Sequence, residues 1–137
     1  MDFGEYGAWT SYRAIGEENA GVAAAAAELG RAGVAPQMMI DASHANSGKK
    51  PENQPLVIAD IARQLSDGEP RIVGVMIESN LVAGRQDARP GTALTYGQSI
   101  TDGCTDWQTT APALNLLADA VVARRQVRRC KFQELSA

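Results

Sequence analysis

Two apolar runs, Met38-Met39-Ile40 and Ile72-Val73-Gly74-Val75-Met76-Ile77, constrain this chain more than any other feature. Neither alternates with polar residues, and a strand that is apolar at successive positions is one covered on both faces. Each run stops at an acid, the first at Asp41 and the second at Glu78. Between them lies a helix signature. Pro55 suits a first helical position, Val57, Ile61 and Leu65 repeat at i, i+4, i+8, and Asp67-Gly68 closes the segment. Buried strand, amphipathic helix, buried strand is the pattern of a parallel βαβ unit, because parallel neighbours need a long crossover. The expected strands are 37–41 and 71–79, adjacent and parallel.

The flanking sequence extends this alternation. An alanine-rich run within 18–32 is strongly helix-forming, with Val22, Ala25, Ala26 and Leu29 as a narrow stripe and Gly33 and Pro36 as stops. Segments 44–54 and 80–109 read as long polar loops. A last helix is expected to open around Thr110 to Pro112, with Leu114, Leu117, Ala118, Val121 and Val122 on one face and Arg124 and Arg125 at its C-terminal dipole. The basic residues Arg128, Arg129 and Lys131 read as a helix end running into a frayed tail. Residues 1–17 hold Tyr6, Trp9 and Tyr12 among Gly4, Gly7 and Gly16 with no clear period, so they read as loop or short strand. The class is α/β with parallel strands. A sheet of two or three strands with apolar faces is too small to stand alone, so the chain looks like part of a larger architecture.

Composition excludes several functions. The 137 residues carry 13 Lys plus Arg against 16 Asp plus Glu, a net charge of −3, which gives no reason to expect nucleic acid or an anionic membrane. No apolar run approaches the roughly 18 residues of a membrane helix, and Met1-Asp2-Phe3-Gly4-Glu5 does not begin a secretory signal. With Cys104 and Cys130 as the only cysteines, the expectation is a reduced, soluble, cytoplasmic chain.

In parallel α/β folds reactive groups gather beyond the carboxyl ends of the strands. Three residues fall there: His44, the only histidine, in Asp41-Ala42-Ser43-His44; Glu78 after the second apolar run; and Asp102 in the loop before the last helix. One imidazole and two carboxylates suit a borderline divalent metal such as Mn, Fe, Co or Zn. Each has a plainer role open to it: a hydrogen-bonded structural histidine, a solvated or Arg-paired Glu, and a turn or cap Asp beside Gly103. Lys49-Lys50 reads as a solvated loop more readily than as a phosphate site. Cys104 reads as a small buried residue.

Three strings resemble a known family. Met39-Ile40-Asp41-Ala42-Ser43-His44-Ala45-Asn46-Ser47-Gly48-Lys49 resembles the M-I-D-x-S-H-A-N-S-x-K signature of microbial class I 3-deoxy-D-arabino-heptulosonate 7-phosphate (DAHP) synthases. Ile72 through Val82 resembles their G-V-M-x-E-S-H-L region, with Asn80 in place of the usual His. Leu94 through Cys104 is a third match, in the family's order. The similarity runs from about Val22 to Arg125 and divides the chain into an unmatched segment 1–17, a barrel portion 18–125 and a basic tail 126–137.

The resemblance implies the C-terminal fragment of a (β/α)₈ barrel: the last two βα units plus the preceding helix. It implies condensation of phosphoenolpyruvate with erythrose 4-phosphate to DAHP and phosphate, opening the shikimate/chorismate pathway to aromatic amino acids. A divalent metal is held in the family by Cys, His, Glu and Asp, of which the last three map onto His44, Glu78 and Asp102. His44 would also lie beside phosphoenolpyruvate and Asp102 would face the sugar phosphate, so these two are the candidate catalytic residues. The family's cysteine ligand and its Arg-Gly-Gly strand are not matched here, and a barrel needs about 250 residues. The chain alone is therefore expected to be inactive, to bind metal weakly, and to self-associate or dock with the missing barrel part. The rival readings are a non-catalytic truncated remnant or split-enzyme half and, below these, a related eight-carbon sugar acid phosphate synthase.

Overall fold

Gly33 sits in the left-handed region, with φ 70°, and closes the first helix as a Schellman turn: Val34 N–H donates to the Leu29 carbonyl and Gly33 N–H to that of Gly30. The computed structural model describes residues 3–4, 7–10 and 20–134. Helix α1 (Ala20–Arg31) buries the expected stripe of Val22, Ala25, Ala26 and Leu29. Strand β3 (Met38–Asp41) follows, after β1 (Phe3–Gly4) and β2 (Gly7–Thr10) at the N-terminal side.

A loop containing a 3-10 turn, Pro51–Asn53, leads into α2 (Gln54–Ser66), which buries Val57, Ile58, Ile61, Ala62 and Leu65. Gly68, at φ 102°, turns the chain into β4 (Ile72–Met76). Strands β3 and β4 are adjacent and parallel, as the two apolar runs predict, with Asp41 paired to Met76 and a register shift between Met38 and Met39.

The sheet is larger than the sequence indicates. Its order is β1-β2-β3-β4, with β2 parallel to β3 and β1 antiparallel to β2. A short strand in the aromatic N-terminal segment is therefore present, and it adds a third parallel strand to the two expected. Of the residues singled out there, Tyr6, Tyr12 and Gly16 lie outside the described residues.

Burial is one-sided. Met38 and Ile40, on one face of β3, belong to a single core with residues of α1, α2 and α3, whereas Met39 on the opposite face is half-buried. The reading of the second run as covered on both faces is corrected: Val73 is 56% exposed. Strand β4 is the last in its sheet among the described residues, and Val73 falls at the register shift, between the pairs Met38–Ile72 and Met39–Gly74.

Segment 80–106 holds more order than a loop. Strands β5 (Val82–Arg85) and β6 (Gln98–Ser99) pair in parallel, and the Gln86 carboxamide bonds to Thr95 and Gln98 across them.

Helix α3 (Trp107–Glu134) starts a turn before the expected Thr110, because Asp106 caps it: its carboxylate accepts from Thr109 N–H at 2.8 Å. It also continues through the basic stretch read as a frayed tail. Its inward stripe is shifted from the expected one. Ala113 and Ala120 are buried and Leu117 and Val121 pack beside them, while Leu114 and Val122 face outward. Small alanines let α3 lie close on α2. Arg124 fastens the middle of α3 to the entry of β4, donating to the carbonyls of Glu69 at 3.2 Å and Ile72 at 2.8 Å. No helix among the described residues is long and apolar enough to cross a membrane.

Candidate metal centre

The end of β3 builds the first half of the site. Asp41 is buried, and its Oδ1 accepts from Ser43 N–H at 2.7 Å and Ser43 Oγ–H at 2.6 Å. Its Oδ2 lies 2.6 Å from His44 Nδ1. An ionised carboxylate only accepts, so Nδ1 carries the proton and the lone pair of the neutral ring is on Nε2. Asn46 Nδ2 donates to the Asp41 carbonyl at 2.6 Å, holding the turn that presents His44.

His44 Nε2 faces Glu78 Oε1 at 3.5 Å, and the donor atoms of His44, Glu78 and Asp102 all lie within 4.8 Å of one another. The three residues singled out at the strand ends are thus brought together. Donors bound to one ion at about 2.0–2.2 Å stand roughly 3–4.4 Å apart, and Asp102 is exposed and has room to turn inward. A carboxylate that fixes one ring nitrogen of a histidine while the other is left for a metal is a common outer-shell arrangement.

Electrostatics favour a cation here. Burial pushes the Glu78 carboxyl above its ordinary value; His44 opposes this, and the charges of Asp102 and Asp41 add to it. The Asp41 hydrogen bond raises His44 against its partial burial, with help from the charges of Asp41, Glu78 and Asp102. Burial works against ionised Asp41, but the hydrogen bonds from Ser43 and His44 outweigh it and hold that carboxyl below its usual range. Three carboxylates around one imidazole leave negative charge that His44 alone does not neutralise. The donor set fits a divalent metal of the borderline group.

Three further residues that the sequence reading did not single out as functional, Asp41, Gln54 and Thr105, matter to the site. Gln54 is fully buried; its Nε2 donates to the Glu78 carbonyl and its Oε1 accepts from Glu78 N–H, both at 3.0 Å. Thr105 N–H donates to the same carbonyl at 2.9 Å, and Thr105 and Thr110 join their hydroxyls at 2.9 Å, tying the loop of Asp102 to the start of α3. The spacing Asp-x-x-His was a signal for Asp41, but nothing local marks Gln54 or Thr105. A cavity of about 280 Å³ opens over the cluster, with Lys49 and Ser47 on its wall. Lys49 has φ 60°. Cys104 is half-buried, and burial raises its thiol.

Consecutive parallel βα units with a His–Glu–Asp cluster beyond their carboxyl ends define the C-terminal part of a (β/α)₈ barrel carrying a candidate metal centre. The profile of the DAHP synthetase I family matches residues 3–115, a span that begins inside the segment 1–17. The chain belongs to that family. It is 54% identical over 109 residues to a tyrosine-inhibited phospho-2-dehydro-3-deoxyheptonate aldolase of Schizosaccharomyces pombe, across 77% of this chain and 29% of that protein. It is 50% identical over 97 residues to the Phe-sensitive enzyme of Escherichia coli K12, across 71% of this chain and 28% of that one. The solved structure of phospho-2-dehydro-3-deoxyheptonate aldolase from Francisella tularensis superposes with a TM-score of 0.69 at 48% identity, over 75% of this chain and 30% of that one. The chain therefore spans less than a third of the length of these relatives.

Proposed function

We propose that this chain supplies the C-terminal part of a DAHP synthase active site, with His44, Glu78 and Asp102 as ligands to a divalent metal of the Mn, Fe, Co and Zn group. The observation that carries the reading is the convergence of these donors in a family member whose named relatives are phospho-2-dehydro-3-deoxyheptonate aldolases. The substrates are phosphoenolpyruvate and erythrose 4-phosphate. In the reaction carbon 3 of the enol phosphate attacks the aldehyde carbon, water adds at carbon 2, and phosphate leaves by carbon–oxygen cleavage. A bound divalent ion supplies Lewis acidity where negative charge develops on the aldehyde oxygen.

The protein groups have separable tasks. Asp41 holds the Nδ1–H tautomer, so His44 presents Nε2 beside the enol phosphate. Glu78 serves chiefly as a ligand, and Asp102, exposed at the cavity mouth, faces the sugar phosphate. The free thiols Cys104 and Cys130 support placing this chemistry in the cytoplasm.

The edge of β4, without a neighbouring strand among the described residues, and exposed Val73 favour docking with an upstream barrel portion over independent action, since an unpaired edge invites strand addition. Positioning two anionic substrates supplies about 7–11 kcal/mol of a barrier, and much of that grip belongs to the upstream part. The test is loss of phosphoenolpyruvate at saturating erythrose 4-phosphate with Mn²⁺, with and without the upstream portion in trans. Turnover should require both pieces and vanish in Glu78→Gln. Turnover by the 137-residue chain alone would overturn the reading of it as a part, and none in the docked complex would favour the non-catalytic remnant.

A further inference from the structure

The backbone ladder between β3 and β4 ends at the bond from Ala42 N–H to the Met76 carbonyl, 2.9 Å long. Glu78 lies two residues further on, where β3 has turned away into the His44 loop. Its position relative to His44 must therefore be set by something other than the sheet. The Gln54 side chain occupies that place. Its carboxamide meets both backbone groups of Glu78, N–H and C=O, at 3.0 Å each, as a neighbouring strand would.

The same short segment touches the other two ligand loops. Asn53 Nδ2 donates to the Ser47 carbonyl at 3.0 Å, closing the His44 loop on itself. The Pro51 ring lies 3.2 Å from where a Cβ on Gly103 would stand, next to Asp102. Residues 51–54 thus meet all three ligand loops, and Gln54 has the most exact fit. A glutamine suits the chemistry: its carboxamide offers a donor and an acceptor side by side with no charge at any pH, and a fully buried one is costly unless both are used.

We propose that Gln54 is the positioning residue that holds Glu78 at ligand distance from His44, a role that rests on the metal reading given above. The carboxamide acts as one added rung beyond the end of β4. Its loss takes the acceptor from Glu78 N–H and leaves the carbonyl to Thr105 N–H at 2.9 Å, so the Glu78 backbone can shift without any ligand being removed. Outer-shell partners of this kind typically change metal affinity 10–100-fold.

The experiment is titration of the full chain with Co²⁺, read by its visible absorption and by calorimetry, alongside amide exchange at Glu78. In the parent chain the Glu78 amide should be protected and Co²⁺ should bind. Gln54→Met, which keeps length and burial, should bind Co²⁺ at least tenfold more weakly with an altered absorption band. Gln54→Asn, one methylene too short to span both groups, should behave alike and serves where the first variant folds poorly. Ile61→Val, a core change remote from the loop, should lower the melting temperature and leave Co²⁺ affinity unchanged. Unaltered Co²⁺ binding in both Gln54 variants, or an unprotected Glu78 amide in the parent, overturns the role of Gln54 while the metal reading stands. A parent chain that binds no Co²⁺ overturns the metal reading and this role with it.

Discussion

Replacing Asp41 by asparagine should invert the histidine that the site depends on. In the parent, Asp41 Oδ2 accepts from His44 Nδ1–H at 2.6 Å. The carboxamide of the Asp41→Asn variant keeps an oxygen for Ser43, whose N–H and Oγ–H lie 2.7 and 2.6 Å from Oδ1 in the parent. Its amide nitrogen then faces Nδ1 as a donor, so Nδ1 must become the acceptor and the proton moves to Nε2. That nitrogen points at Glu78 Oε1, 3.5 Å away, and no longer offers a lone pair to a metal. Restoring the binding tautomer, with a donor set against a donor, should cost Co²⁺ affinity about 10–100-fold, or roughly 1.4–2.8 kcal/mol. The pH response should move the other way. His44 titrates above its ordinary value in the parent, chiefly through the Asp41 hydrogen bond, so protons compete with metal up to a higher pH than for a free imidazole. In D41N that competition should end at lower pH, although affinity at alkaline pH is weaker. Because His44 is the only histidine, ¹⁵N chemical shifts of one ring report the tautomer and its titration without ambiguity. A D41N chain that keeps the Nδ1–H tautomer and the parent's Co²⁺ affinity would refute this reasoning.

Other perturbations test the frame that carries the site. Glu69 has its carboxyl lowered by the paired hydrogen bonds of Arg71, against partial burial; the stability it adds is present above its unfolded pKa and lost as pH falls through the lower folded value. Urea unfolding between about pH 7 and 3 should therefore show the parent's advantage over Glu69→Gln shrinking as pH falls, and a constant difference would contradict the pair. Arg124→Met removes the donor to the Glu69 and Ile72 carbonyls and should cost about 1.5–3 kcal/mol in the same assay; a neutral change would mean that α3 is not fastened there. Gly97→Ala places a methyl 2.7 Å from Leu81 Cβ at φ 78°, a local strain of about 1–3 kcal/mol. It should open 82–99 to limited proteolysis while the helical circular dichroism is kept, and unchanged cleavage would show that the loop adapts.

The sequence by itself determined the central elements α1, β3, α2, β4 and α3 and their order, but not the short strands β5 and β6 in the segment read as a loop. Non-alternating runs specify strands, the i, i+4, i+8 repeat of Val57, Ile61 and Leu65 specifies the helix between them, and a helical crossover specifies parallel pairing. Because βα units gather reactive groups beyond their strand ends, His44, Glu78 and Asp102 were legible as a set, and they do converge. What escaped it is of two kinds. Polar partners far apart in the chain, Gln54 with Glu78 over 24 residues and Arg124 with Glu69 over 55, leave no periodic trace, since a hydrogen bond depends on where two groups meet and not on their neighbours in sequence. One-sided burial escaped for a related reason. Apolar character records what a residue is suited to contact, whereas the exposure of Val73 and the turn of Leu114 away from the core depend on which elements stand beside β4 and α3. Only the tertiary structure decides that, because burial is a property of the assembled surfaces and not of the residue alone.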